Sequence, residues 1–191
     1  MVYPSEIAER LKDIRHLRHS GDDRASGTGA SFACGCFVRF SVSIDDGTKL
    51  IRDISFMTNG CGYMSAAADV IADAFNGRRL TELHGLDDIQ LIDSITTSLG
   101  PVPADRRECL EACSQALHGA LADFRRSRLE EFSGDSALIC TCFSVTEESI
   151  ETIILETDAR SVDDVSTACN AGLGCGSCRM MIDEMIDARM R

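Results

Sequence analysis

The stretch "FVRFSVSIDDGTKLIRDISFM", residues 37–57, predicts two antiparallel strands joined by a tight turn. Apolar residues at positions 40, 42 and 44 alternate with polar residues at positions 39, 41 and 43, which is the period of a half-buried strand. The letters "DDGT", residues 45–48, supply a glycine-containing turn, and residues 51–57 carry the chain back. The stretch therefore predicts a β-hairpin, and with it an antiparallel sheet.

The hairpin also predicts which cysteines meet at its open end. For a turn centred near residues 46 and 47, antiparallel partners have numbers that sum to roughly 93. Position 34 then lies opposite about position 59, and position 36 lies opposite about position 57. We therefore expect Cys34 and Cys36 to lie close to Cys61.

Helices are predicted on both sides of the hairpin. Residues 1–17 carry apolar side chains at helical spacing, and a polar, glycine-rich loop follows through residue 31. The letters "YMSAAADVIADAFNG", residues 63–77, predict a helix just after Cys61, and the dipole at a helix N-terminus favours a thiolate. A long helix over residues 108–132 has Cys109 at its start.

A change of composition predicts a second, smaller domain. The small polar residues "SGDSA", 133–137, follow the long helix and predict a linker between residues 1–132 and residues 138–191. The fold class is therefore α+β, with an antiparallel sheet packed with helices, followed by a small all-α domain whose helices have Ser144 or Thr146, and then Ser161, as N-caps. A domain of about 55 residues has a marginal core, and a metal site commonly supplies the missing stability.

Composition excludes several classes of function. The chain has 19 Lys and Arg against 31 Asp and Glu, a net charge of −12, which argues against nucleic acid as a partner. No apolar run is long enough to span a membrane, and the first residues do not resemble a secretion signal, so a soluble, cytoplasmic protein without membrane contact is expected. In a reducing compartment the ten cysteines predict metal binding or catalysis, since disulfides are rare there.

Four cysteines of the second domain have the spacing of a metal site. Cys140 and Cys142 form a C-x-C pair, and Cys175 and Cys178 form a C-x-x-C pair. Four thiolates suit either a tetrahedral zinc ion or a [2Fe-2S] cluster, and nearby glycines leave backbone N–H groups free to donate to the sulfurs. The C-x-C spacing favours iron and sulfur over zinc, and Cys169 is interpreted as a small core residue.

The letters "CTCFSVTEESIE", residues 140–151, and "CNAGLGCGSC", residues 169–178, resemble the bacterioferritin-associated-ferredoxin-like (BFD-like) module found in the middle of NifU proteins. Residues 1–132 resemble the IscU/NifU N-terminal scaffold domain. That second resemblance is carried by Tyr3, by Cys34 with the glycine after it, and by the letters "NGCGYMSAAAD" and "VPADRREC", residues 59–69 and 102–109.

The two resemblances imply a function. The first implies a permanent [2Fe-2S] cluster on Cys140, Cys142, Cys175 and Cys178. The second implies that Cys34, Cys61 and Cys109 receive sulfur from a cysteine desulfurase, bind iron, and hold a transient [2Fe-2S] cluster or iron for delivery to apo-proteins. It implies a carrier protein that is not an enzyme. A homodimer is compatible with this role. On the residues alone, these three are open to a second interpretation as buried structural thiols, although cysteines at predicted strand, loop and helix ends rarely serve packing alone.

This sequence departs from the family pattern at several positions. Cys36 stands where an Asp is usual, Glu108 stands where a His commonly precedes the third cysteine, and Arg106 replaces a Lys. The stretch usually recognised by a chaperone is largely lost from "VPADR", and the third, C-x-x-C domain of full-length NifU has no counterpart in these 191 residues.

The cysteine at position 36 separates two hypotheses. A carboxylate is a hard ligand that would keep a cluster labile, whereas four thiolates should bind it more tightly. Cys36 is therefore either a fourth ligand, which we favour, or a spare thiol for sulfur relay; Cys113, one turn after Cys109, is interpreted as a packed thiol. The main hypothesis is a scaffold with a permanent redox cluster. One alternative is a two-cluster, ferredoxin-like electron carrier that retains a four-cysteine N-terminal cluster. The other alternative is a structural zinc protein.

Overall fold

A computed structural model describes residues 3–18 and 25–189 of the chain. The chain divides into two compact units, one that contains the residues up to Arg78 together with Leu86–Phe124, and one that contains Arg79–Gly85 and the residues from Arg125 onward. No helix in the described part of the chain is both long and apolar enough to cross a membrane.

The first unit is built on the predicted hairpin. Strands β1 (Ala25–Ser31), β2 (Cys36–Ile44) and β3 (Ile51–Thr58) form an antiparallel sheet in the order β1-β2-β3. The antiparallel sheet is therefore confirmed. A short parallel bridge from Leu17 to Phe56 adds a fourth chain segment beside β3.

The register of the hairpin differs by three from the sequence estimate. Val38 pairs with Thr58 and Ser43 with Asp53, so partner numbers sum to 96 rather than to 93. The estimate was wrong because the turn is wider than a two-residue one: the backbone N–H of Asp45 donates to the carbonyl of Leu50, and the register shifts next to Ser43. Continued to the open end, this register sets position 36 opposite position 60, one residue from Cys61.

Strand β1 occupies part of the segment that the sequence predicted to be a loop. Residues 19–24 of that predicted loop lie outside the described residues, and Ala25–Ser31 is a strand. Two glycines explain the error, since a Cβ at Gly27 would lie 2.1 Å from the backbone nitrogen of Ala120, and one at Gly29 would lie 1.9 Å from the carbonyl oxygen of Ala112. The glycines that suggested a loop instead permit a helix backbone to lie directly on the strand.

Four helices complete the first part of the chain: α1 (Ser5–Lys12), α2 (Gly62–Phe75), α3 (Asp88–Leu99) and α4 (Arg107–Glu131). The predicted first helix is shorter than expected, since it ends at Lys12, before the apolar Ile14. The helix α3 was not predicted. Short 3₁₀ turns at Leu80–Leu83 and Ala104–Arg106 precede α3 and α4, respectively.

The core of this unit lies between the sheet and α2. Helix α2 packs against β3 and α1. The rings of Phe40 and Phe56 are 6.0 Å apart between centroids, and both are fully buried together with Met64 of α2. Burial of apolar side chains on one face of the strands is the main stabilising term for such a sheet.

A buried carboxylate fixes the N-terminal segment to α2. Asp69 has no exposed surface, and its Oδ1 accepts hydrogen bonds from the backbone N–H groups of Arg15 and His16, each at 3.0 Å. Its Oδ2 lies 2.6 Å from Nε of Arg10. Because the charge is both paired and hydrogen-bonded, the desolvation cost of burying it is offset.

Among the described residues of the second unit, three helices follow the end of α4: α5 (Glu147–Thr157), α6 (Val162–Cys169) and α7 (Arg179–Arg189). It also contains an antiparallel pair of short strands, β4 (Leu138–Cys140) and β5 (Val145–Thr146), so the expectation of an all-α domain was incomplete. The predicted caps are confirmed at Thr146 and Ser161, whose side chains accept from backbone N–H groups of α5 and α6. The two strands escaped prediction because such short pieces carry no periodic pattern.

Candidate metal centres

The first pair of cysteines lies on either side of a glycine in the turn that joins β1 to β2. Gly35 adopts φ +66°, a conformation that glycine takes without steric cost, and its backbone N–H donates to the carbonyl of Ser31 at 2.9 Å. Cys34 is exposed within this turn, whereas Cys36 is the first residue of β2 and is partly buried. The thiol of Cys34 is therefore open to solvent, whereas Cys36 is partly enclosed at the edge of the sheet where β2 begins.

The third cysteine lies at the beginning of α2. Cys61 is the N-cap residue, with an extended backbone (φ −72°, ψ 174°), as the sequence predicted for a position before a helix. The hydroxyl of Tyr3 accepts a hydrogen bond of 3.0 Å from the next backbone N–H, that of Gly62. Tyr3 therefore satisfies one of the N–H groups that the helix start leaves without a partner.

The fourth cysteine lies in the first turn of α4. Cys109 is 2% exposed, and its Sγ lies 3.9 Å from Sγ of Cys61. One turn further, Cys113 is fully buried, and its thiol lies 3.7 Å from the carbonyl oxygen of Met64. This environment agrees with the interpretation of Cys113 as a packed thiol.

The electrostatics of these thiols follows from their exposure. The contact with the Ser31 hydroxyl, followed by the backbone N–H and thiol of Cys36, lowers the pKa of Cys34. The hydrogen bond to Cys34, followed by burial, raises the pKa of Cys36. Burial, followed by the nearby Cys61, raises the pKa of Cys109 to about 12. Among Cys34, Cys36 and Cys109, the exposed Cys34 therefore ionises first.

Three polar residues next to these thiols were not predicted as site residues. The hydroxyl of Ser31 donates to Oε2 of Glu108 at 2.8 Å, and the thiol of Cys34 lies 3.3 Å from the same hydroxyl oxygen. Because a serine has one hydroxyl hydrogen, Ser31 can stabilise a Cys34 thiolate only by turning that hydrogen away from Glu108. The charge of Arg106 contributes to lowering the pKa of Cys34 and opposes the rise in the pKa of Cys109. The sequence carries no local signal for Ser31, since its partner is 77 positions away.

The second cysteine group lies within the C-terminal unit. Cys140 ends β4, and Cys142 lies in the turn that follows, with its Sγ 3.7 Å from Sγ of Cys175. Cys140, Cys142 and Cys178 are 3%, 4% and 7% exposed, while Cys175 is exposed. The structure therefore brings the four predicted cysteines together at one end of the unit.

Backbone N–H groups surround these sulfurs. Gly172 donates to Cys140 and to Cys178, and Phe143 donates to Cys140. Cys175 accepts from the backbone of Ser177, whose Oγ is also 2.9 Å from its sulfur. Such donors stabilise negative charge on thiolate sulfur.

Hydrogen bonding among the four thiols shifts their pKa values in opposite directions. Hydrogen bonds from the thiols of Cys142 and Cys178 lower the pKa of Cys140. The thiol of Cys142, which donates to Cys175, lowers the pKa of Cys175 to about 5, and donation raises the pKa of Cys142 and of Cys178. Binding of a metal centre must expel the thiol protons, so loading is coupled to proton release.

A glycine in the C-terminal group allows the backbone to lie close to one of its sulfurs. A Cβ at Gly174 would lie 2.8 Å from Sγ of Cys142, so any larger residue would displace that sulfur.

Cys169, the fifth cysteine of the unit, is half-buried, and its thiol contacts the carbonyl of Val165 at 3.3 Å within its own helix. The donor set of soft thiolates with backbone N–H groups fits an iron-sulfur cluster.

Neither group is preformed for a single metal ion. Across residues 3–18 and 25–189, no three side chains of His, Cys, Asp or Glu are close enough together to hold one ion. The sulfur pairs described above lie 3.7 Å and 3.9 Å apart.

Comparison with known proteins identifies both parts of the chain. Residues 2–131 match the family described as NifU-like N terminal domain, and residues 138–188 match the BFD-like [2Fe-2S] binding domain. The first match covers more than half of the 191 residues and shows the family.

Relatives with known names are similar to this chain over most of its length. The nitrogen fixation protein NifU of Trichormus azollae is 30% identical over 164 residues, which are 85% of this chain and 53% of that protein. The chain thus spans about half the length of that relative. The iron-sulfur cluster assembly scaffold protein IscU of Aquifex aeolicus is 24% identical over 78% of this chain and 91% of its own length.

Among solved structures, the N-terminal part of a nitrogen-fixing NifU-like protein from Brucella abortus is 20% identical, with a TM-score of 0.46. The likeness covers 68% of this chain and 95% of the Brucella chain.

Proposed function

The chain belongs to the NifU-like N-terminal domain family and carries a BFD-like [2Fe-2S] binding domain, and we propose that it is an assembly scaffold for iron-sulfur clusters. Its first unit receives sulfur and iron, holds a [2Fe-2S] cluster as cargo and delivers it to apo-proteins. The sulfur donor is a cysteine desulfurase. The observation that carries the proposal is the convergence of Cys61 and Cys109 near a turn that exposes Cys34.

Cys34 is the proposed entry point for sulfur. Its exposure and lowered pKa favour a thiolate that a partner protein can reach. The Cys34 thiolate attacks the outer sulfur of the donor's persulfide, so that a new S–S bond forms on Cys34 and the donor leaves as a thiolate. Release of that sulfur as hydrogen sulfide then takes two electrons and one proton and regenerates the thiolate.

The cargo ligands are proposed to be Cys34, Cys36, Cys61 and Cys109. Three of these sulfurs lie on separate elements, the β1–β2 turn, the N-cap of α2 and the first turn of α4. Cys36 adds a soft fourth donor at the start of β2, and its electrostatic neighbours include Cys34 and Cys61. Four thiolates match the preference of a [2Fe-2S] cluster.

In the second unit, Cys140, Cys142, Cys175 and Cys178 are the proposed ligands of a permanent cluster. A [2Fe-2S] cluster held there would supply electrons one at a time, and two such transfers in succession would release one sulfide from Cys34. The residues of the unit bury three of the four cysteines, all but Cys175, and backbone N–H groups donate to the sulfurs of Cys140 and Cys178. Both effects favour retention of a cluster over its release.

Cluster transfer tests the proposal. The full chain is incubated anaerobically with a cysteine desulfurase, cysteine, ferrous iron and dithiothreitol, a reductant that supplies electrons for the release of sulfide. An apo-ferredoxin is then added while circular dichroism reports its cluster. We expect about one [2Fe-2S] cluster per chain to transfer, and we expect the Cys34→Ser variant to transfer none.

Two results would replace the scaffold by another function. Absence of transfer, combined with reversible redox couples for both clusters, would identify a two-cluster electron carrier. Zinc without visible absorbance in freshly purified protein would identify a structural zinc protein.

A further inference from the structure

The turn that carries Cys34 is not held in place by packing. Phe32 is 98% exposed, and Ala33, Cys34 and Gly35 are exposed as well. A segment that buries no side chain gains no hydrophobic stabilisation, so its conformation depends on hydrogen bonds.

One hydrogen bond lies within the turn, from the backbone N–H of Gly35 to the carbonyl of Ser31, and two others converge on one carboxylate outside it. Oε2 of Glu108 accepts from the hydroxyl of Ser31 at 2.8 Å and from the backbone N–H of Ala33 at 3.4 Å. Ser31 in turn is 3% exposed, and its oxygen is 3.3 Å from the thiol of Cys34. The carboxylate thus contacts both ends of the tripeptide that leads to Cys34.

Glu108 is also attached to the other side of the site. It lies in the first turn of α4, where the helix dipole favours a negative side chain, and it directly precedes the buried Cys109. One residue therefore links the turn of Cys34 to the helix turn of Cys109, two elements that are otherwise 75 positions apart.

We propose that Glu108 is a positioning residue, which fixes the Cys34 turn against α4 so that the sulfurs of Cys34 and Cys109 keep a defined separation. The inference rests on the proposed function of this site, and it assigns Glu108 a role through Cys34 rather than contact with iron. Preorganised ligands bind with a smaller loss of conformational entropy, so the clamp accelerates assembly of the cargo cluster.

For this role the hydrogen-bond acceptor Oε2 of Glu108 is essential, and the negative charge of the side chain is not. Glu108→Gln keeps a carbonyl oxygen that can accept from Ser31 and Ala33, whereas Glu108→Ala has none. Glu111→Ala is the matched control, since Glu111 lies one turn further along the same helix and pairs with Arg107 instead of the turn.

The first test uses the metal-free, reduced full chain and does not depend on cluster chemistry. The ¹⁵N heteronuclear NOE of the backbone at Ala33 and Cys34 is measured in each variant. We expect it to fall in Glu108→Ala and Ser31→Ala, and to keep most of its wild-type value in Glu108→Gln and Glu111→Ala. An unchanged NOE in Glu108→Ala would overturn the proposal.

The second test measures assembly of the N-terminal cluster in the same variants. We expect Glu108→Ala to slow assembly by about tenfold or more, the range found for residues that orient metal ligands, and Glu108→Gln to restore at least half of the wild-type rate. A Gln variant as slow as the Ala variant, with a normal NOE, would overturn the proposal in favour of a charge or ligand role. If the wild-type chain assembles no N-terminal cluster at all, the proposed function fails, while the NOE comparison still decides whether the clamp exists.

Discussion

The two cysteine groups of this chain differ in what surrounds them rather than in the ligand atoms they offer. In the C-terminal group, three of the four sulfurs are less than a tenth exposed, and backbone N–H groups point at them. In the N-terminal group only Cys109 is buried, and Cys34 lies in a turn that buries none of its own side chains.

The comparison indicates how two groups that offer the same kind of ligand can be suited to opposite roles. Backbone donors and burial stabilise a bound cluster and slow its loss, because water and competing thiols cannot reach the sulfurs. An exposed thiol, in contrast, can react with a partner protein, but the cluster that it binds is open to attack. The surroundings therefore support the proposed retention of a cluster in the second unit and the proposed exchange of a cluster in the first.

The strongest test of this comparison removes one ligand from the buried group. Cys142→Ser should lose the C-terminal cluster completely, since a neutral hydroxyl does not replace a thiolate, and should leave the N-terminal cluster unaffected. Iron and sulfide counting with Mössbauer spectra should then show one cluster fewer per chain than in the wild type.

The control for this experiment is Cys169→Ser. Cys169 lies in the same unit, but its thiol is hydrogen-bonded to the backbone of Val165 and Ala171 and is not a proposed ligand, so the cluster content should not change. Loss of the C-terminal cluster in Cys169→Ser, or its retention in Cys142→Ser, would show that the ligand set is wrong.

A second test exchanges one glycine for alanine in each group. At Gly174 the new methyl group would lie 2.8 Å from Sγ of Cys142, so we expect the affinity for the C-terminal cluster to fall by about tenfold to a hundredfold. At Gly35 no other atom lies within 4 Å of the added Cβ, and the cost is confined to the positive φ of +66°, about 1 kcal/mol in the free energy of unfolding.

Cluster retention on a chelator column and chemical unfolding of each variant measure the two effects. Equal loss of cluster from both variants would break the comparison, because it would show that the N-terminal turn is as tightly enclosed as the C-terminal loop.

The third test concerns the open group alone. Cys36→Asp replaces a soft sulfur by a hard oxygen, and we expect the half-life of the N-terminal cluster to shorten by about tenfold or less. The visible absorbance of the reconstituted Cys142→Ser chain, with and without Cys36→Asp, follows that cluster by itself. An unchanged half-life would show that Cys36 is not a ligand.

The smallest expected effect is a shift in the pH dependence of Cys34. In the metal-free chain its pKa is lowered, so its alkylation by iodoacetamide should reach half of its maximal rate at a lower pH than the alkylation of an unperturbed thiol. Because the Ser31 hydroxyl is the largest cause, Ser31→Ala should move this midpoint upward.

Mass spectrometry of the alkylated peptides measures the midpoint, and Cys109 is an internal reference. Its pKa of about 12 and its 2% exposure should leave it unmodified near neutral pH. A midpoint that does not move in Ser31→Ala would show that the hydroxyl contact does not stabilise the thiolate.

Local sequence patterns predicted much of the fold. Alternating apolar residues identified β2 and β3, and the Ala-rich periodicity after Cys61 identified α2. Each of these patterns is formed by residues that are close together in the chain, so it can be recognised in the sequence. The strand β1 was missed, since its glycines are explained only by the backbone of α4, which lies more than 80 positions away.

The sequence by itself determined which soft ligands this protein can offer: it has ten cysteines, four of them in the second domain at metal-ligand spacing, and a cysteine at position 36 where an Asp is usual in the family. Only the tertiary structure decided which thiols are enclosed and which are open. The hydrogen bond from Gly172 to Cys140 and the bond between Ser31 and Glu108 both join residues that are far apart in the chain. Packing brings such residues together, and no local periodicity encodes that packing.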